Sequence, residues 1–154
     1  MEWFVRAFIR ASLTWLALGV TLGVAMAAQP VWIVYRPAHL HLNMLGFVTM
    51  MIYGVAYHVI PRFTGAPLFS RRLAGWHWWT ANAGLLLMVA AFMLRPSFGS
   101  ALTPLLVGGG VLSAAGAYAF ASGLWRTLDG PTPQRQAAER PSVPARPPLP
   151  VAGS

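Results

Sequence analysis

Four stretches of this chain are each close to twenty residues long and nearly free of charge, and that pattern limits what it can fold into. They run from about 7 to 28, 38 to 60, 76 to 94 and 101 to 125. About 20 apolar residues wound as an α-helix cross the ~30 Å hydrocarbon layer of a bilayer with every backbone group paired internally. The sequence therefore predicts an all-α fold, an integral membrane four-helix bundle, over residues 1–128. The first stretch is longer than the apolar core of a signal peptide and three more follow it, so it reads as a retained helix. Residues 129–154 carry seven prolines and little to bury. They read as a disordered, Pro-rich cytoplasmic tail.

Charge gives the topology. The chain has 11 Lys+Arg, all arginine, against 3 Asp+Glu. Arg6 and Arg10 precede the first stretch, Arg62, Arg71 and Arg72 separate the second from the third, and Arg126 follows the fourth. The opposite side has Arg36 and Arg95. By the positive-inside rule both termini are cytoplasmic in a bacterial inner membrane. Trp76, Trp78 and Trp79 then belong to the inner aromatic belt, Trp32 and Tyr35 to the outer one. The arginines alternate with apolar blocks instead of forming a stripe, which argues for the lipid bilayer and against nucleic acid as the partner. Small residues spaced by four, Gly19/Gly23/Ala27 and Gly109/Ser113/Ala117/Ala121, predict close helix packing.

Several chemistries lack their residues. There is no cysteine, hence no disulfide, thiolate zinc site, iron–sulfur cluster or covalent haem attachment. With no acid inside a stretch, paired-carboxylate catalysis and a Ser-His-Asp triad have no members. Four histidines remain: His39, His41, His58 and His77. An ionisable group at membrane depth is costly and points to function, and imidazole is a common haem-iron ligand. At 100° per residue, His39, Asn43, Gly46, Met50, Tyr53, Gly54 and Tyr57 share a small, polar face. His41 falls on the opposite, aliphatic face with Met44, Leu45, Val48, Ile52, Val55 and Val59. An alternative for the His39/His41 pair is structural, with both rings bonded to Asn43 or to backbone carbonyls. His58 and His77 read as interfacial residues beside the tryptophans, or as a second haem or metal site. His77 shares a face with Ala81, Gly84, Met88 and Ala91 and so is expected to face the bundle. Met44, Met50, Met51, Met88 and Met93 are mostly packing residues, although each has a sulfur able to act as an axial ligand.

The second stretch, with Arg36-Pro37-x-His39 at one end and Gly54-Val-Ala-Tyr57-His58-Val-Ile-Pro61-Arg62 at the other, resembles the second transmembrane helix of haem–copper oxidase subunit I. That family includes the large subunit of nitric oxide reductase. In it, the outer-end histidine of this helix ligates the low-spin haem. Aligned from the inner end, the resemblance implies His39 as that ligand; matched on His41-x-Asn43, it implies His41. Arg36 is then placed to pair with a haem propionate. The family's later helices, which carry the other haem ligands and the copper histidines, have no counterpart here. Oxidase or reductase activity by the chain alone is therefore not expected. The resemblance implies non-covalent haem b in an integral membrane protein of the respiratory or denitrification type, for electron transfer or binding of NO or O₂. A homodimer would let two copies share one haem. The alternatives are a non-catalytic accessory or assembly subunit of a respiratory oxidase or nitric oxide reductase, and a copper-handling membrane protein using His39-x-His41.

Overall fold

The computed structural model describes residues 1–130; nearly all of the tail expected at 129–154 lies outside them. Three helical runs, Trp3–Ala28, Pro30–Thr64 and Arg71–Leu128, are long and apolar enough to cross a membrane. The first is one continuous helix, α1 (Trp3–Ala28). The second starts with a 3₁₀ turn (Pro30–Tyr35), then continues as α2 (Arg36–His41), a π-helical segment (Leu42–Thr49) and α3 (Met50–Thr64). The third is a hairpin. Its first arm, α4 (Arg71–Phe98), is capped by the Ser70 hydroxyl, which accepts from the Leu73 amide. A 3₁₀ turn (Gly99–Leu102) then leads into α5 (Thr103–Leu128). Gly99 sits at φ 57°, a conformation that favours glycine, where the chain reverses.

Two helices outrun the ends expected at about 60 and 94, reaching Thr64 and Phe98. Pro61 lies inside α3 and Pro96 inside α4. Each ring removes one N–H, and the helix continues for only two or three residues beyond it, where few further bonds depend on it.

Helices α4 and α5 form the most extensive contact in the molecule. Gly84 backs onto Gly109, Gly116 onto His77 and Thr80, and Gly123 onto Leu73, so the two arms run antiparallel. On α5 the buried positions are Gly109, Gly116, Gly123, Leu124 and Thr127. This corrects the expected stripe of every fourth residue, because Ala121 is exposed. Steps of four advance 40° beyond a full turn each time, whereas steps of seven fall only 20° short of two turns.

The first two runs pack through glycine as well. A Cβ at Gly46 would press on Trp15, and one at Gly54 on Phe8 and Ile9. At the arginine-rich end α1, α3, α5 and α4 form a ring, and α1 and α5 make no close backbone approach. The core gathers there: Phe4, Val5 and Phe8 from α1, Tyr57 from α3, Ala74 and Ala81 from α4, and Leu124 from α5. Large apolar side chains such as Leu18, Val24, Ile52, Leu86 and Val111 are exposed, as they should be on a surface that meets lipid.

Candidate functional site

His39 is seated against the small-residue face of α1. Its Nδ1 lies 2.9 Å from the Gly19 carbonyl oxygen. A carbonyl can only accept, so Nδ1 carries the hydrogen and donates it, and the lone pair resides on Nε2. The seat depends on missing side chains: a Cβ at Gly23 would come within 2.8 Å of the His39 Cε1, and one at Gly19 within 2.6 Å of the Asn43 amide nitrogen. Asn43 donates from Nδ2 to the backbone carbonyl of His39 at 2.8 Å. Its 3.4 Å approach to His39 Nδ1 sets donor against donor. Gly19-x-x-x-Gly23 thus receives the His39/Asn43 edge of the second run.

His41 turns the other way. Its Nδ1 donates to the Pro37 carbonyl at 2.8 Å, and its ring packs on Phe92 of α4 with centroids 4.8 Å apart. The aliphatic face assigned to it is exposed at Met44, Val48, Ile52 and Val55, but at His41 it meets a neighbouring helix. His39 and His41 therefore present one free nitrogen each on different sides of the helix and do not converge. Arg36 is exposed one turn from His39.

Both hydrogen bonds of the structural alternative are present, and they occupy Nδ1 only. An imidazole whose Nδ1–H is fixed by a backbone carbonyl is oriented for metal ligation through Nε2. Among the described residues no three His, Asp or Glu side chains come together as a metal cage. His39 offers a single nitrogen donor, Nε2, with its Nδ1 held by the Gly19 carbonyl.

The other two histidines separate. His58 accepts at Nδ1 from the Arg62 guanidinium at 2.9 Å, on the exposed side of α3. The interfacial reading of His77 is corrected: this ring is fully buried. The Tyr57 hydroxyl lies 3.0 Å from its Nδ1. Phe8, Tyr53 and Phe120 surround it at centroid distances of 4.8, 4.4 and 5.4 Å, so that all four helices of the ring contribute. Its Nε2 has no hydrogen-bond partner. Ala81, Gly84, Met88 and Ala91 are buried on the same face, as its spacing predicts. The Tyr57–His77 bond is not evident from the sequence. The only signal for it is that both residues lie on inward faces near the same end.

Comparison with known proteins points to the same stretch. The family of cytochrome c and quinol oxidase polypeptide I matches residues 33–101. Cytochrome c oxidase subunit 1 of Rhodobacter capsulatus is 37% identical over 54 residues, 34% of this chain and 10% of that protein. The chain thus spans about a tenth of the length of this curated relative.

Proposed function

We propose that this chain, similar over residues 33–101 to cytochrome c and quinol oxidase polypeptide I, binds haem b through His39 and serves electron transfer or diatomic-gas binding in the membrane. One observation carries the reading: the His39 Nδ1–H is fixed by the Gly19 carbonyl, within the segment that matches the family. Bound haem would supply a one-electron iron centre able to pass electrons or to bind a diatomic gas. The chain's own residues do the rest. Gly19 fixes the tautomer and the ring plane of His39, Gly23 leaves room for the ring, and Asn43 braces the backbone that carries it. Arg36 is a charge-assisted donor for a propionate. In this reading the chain crosses the membrane four times, the hairpin supplying two crossings, and both termini are cytoplasmic. A further copy of His39 in a homodimer, or a residue of an oxidase-type subunit, would complete the site.

Optical spectra of the detergent-purified protein test this, taken oxidised, reduced, and reduced with CO. A Soret band and reduced α/β bands are expected in the wild type, lost in His39→Ala and kept in His58→Ala. If His41→Ala alone removes the bands, the ligand is His41. If the protein carries no haem at any stage of purification, the accessory-subunit reading replaces this one.

A further inference from the structure

At the arginine-rich end, a groove of about 660 Å³ opens between the start of α1 and the first turns of α4. Trp3, Arg71, Arg72, Gly75, Trp76 and Trp79 line it. The α4 residues recur at three- and four-residue steps, so they form one continuous face. Gly75 lets Trp3 lie on that face, since a Cβ there would approach Trp3 Cζ2 to 3.2 Å. Trp76 and Trp79 are 71% and 63% exposed, an apolar wall where lipid chains meet headgroups. Arg71 is 3.0 Å from the Glu2 carboxylate, which closes one side of the groove. Arg72 has no ion-pair partner among the described residues. Charge around it is unbalanced: Arg6, Arg10, Arg62, Arg71, Arg72 and Arg126 share this end with Glu2 and Asp129 alone among the described residues. The groove thus combines unpaired positive charge with an aromatic wall that runs toward the bilayer.

We propose that this groove binds an anionic phospholipid, its phosphate held by Arg72 and the outer side of Arg71 and an acyl chain lying along Trp76 and Trp79. The two halves of the ligand match the two halves of the groove. Zwitterionic lipid offers the same chains with a weaker electrostatic attraction, and free phosphate offers the charge without the chain.

Tryptophan quenching by chain-brominated lipids in dodecyl maltoside micelles tests the proposal on the full chain. Brominated phosphatidylglycerol should quench at a several-fold lower mole fraction than brominated phosphatidylcholine. Arg72→Gln should weaken that preference about fivefold, Arg72→Lys should retain it, and Arg95→Gln at the opposite end should match the wild type. Helicity by circular dichroism, equal in all variants, shows that the fold is intact. Equal quenching by the two lipids, or an Arg72→Gln variant that keeps the preference, overturns the proposal. So does relief of the quenching by millimolar inorganic phosphate, which would assign the groove to the free anion.

Discussion

Adding one methyl group at Gly84 should loosen the hairpin, whereas adding one at Gly108 should not. A Cβ at Gly84 would stand 2.7 Å from both the Gly109 carbonyl oxygen and the Ser113 amide nitrogen, with the Ser113 hydroxyl also in its way. Two of these obstacles are backbone of α5, so no side-chain rotation clears them. Reaching ordinary contact at 3.4 Å requires the two helices to part by about 0.7 Å. A gap of that size forfeits a quarter to a half of each dispersion contact along the seam. Overpacking of this kind costs about 1–3 kcal/mol, of which alanine's better helix propensity returns at most about 1 kcal/mol. At Gly108 nothing lies within 4 Å, so the propensity gain stands alone. Gly84→Ala should therefore unfold more easily than Gly108→Ala, by about 1–3 kcal/mol because the propensity gain is common to both, and Gly108→Ala should be neutral or slightly more stable than the wild type. Reversible unfolding in mixed dodecyl maltoside and dodecyl sulfate micelles, followed by tryptophan fluorescence, measures both. If Gly84→Ala is as stable as Gly108→Ala, the close α4/α5 packing described above is wrong.

Tyr57→Phe leaves both ring nitrogens of buried His77 without a partner and should lower stability by about 1–3 kcal/mol. Tyr118→Phe, on a ring 77% exposed, should change it by less than about 0.5 kcal/mol. Gly23→Ala places a methyl 2.8 Å from His39 Cε1 and should reduce the Soret absorbance per protein, with Gly110→Ala, whose nearest neighbour is 4.0 Å away, as the unaffected control. A phosphatase or fluorescent reporter joined after Trp125 should register as cytoplasmic, and a periplasmic signal would reverse the placement of every histidine.

The inward face of the second run follows from 100° per residue, whereas that of α5 was expected from small residues spaced by four, and the two expectations fare differently. On the second run the buried positions are Ala38, Leu42, Gly46, Met50, Gly54 and Tyr57, four steps of four followed by one of three. An ideal α-helix would carry such a series progressively round its axis. The π segment between Leu42 and Thr49 prevents this, because its i→i+5 bonds widen the turn to more than 3.6 residues. Thr49 reinforces the wider turn by donating its hydroxyl to the carbonyl of Met44, five residues back. α5 has no such segment, so its contact line follows sevens and leaves Ala121 outside. Small-residue spacing alone does not distinguish the two cases. The π segment packs on α1 and α4, and such contacts between distant residues leave no local signature.

The histidines divide along the same line. His39 sits at a helix end on the face of Asn43 and Gly46, as its spacing predicts, but its partner Gly19 lies on α1, twenty residues away. His77 was legible only as an inward-facing residue. Its burial is a joint product of four helices, with Phe8, Tyr57 and Phe120 supplied from beyond its own. The flanking Trp76 and Trp79, both largely exposed, suggested an interface, yet on a helix the neighbours in sequence point away from one another. Where four helices meet, the residue at the centre is surrounded by groups distant in sequence. At His39 the partners are the Gly19 carbonyl and the absent side chain of Gly23, and the spacing of those glycines predicts a close approach without naming the helix that makes it.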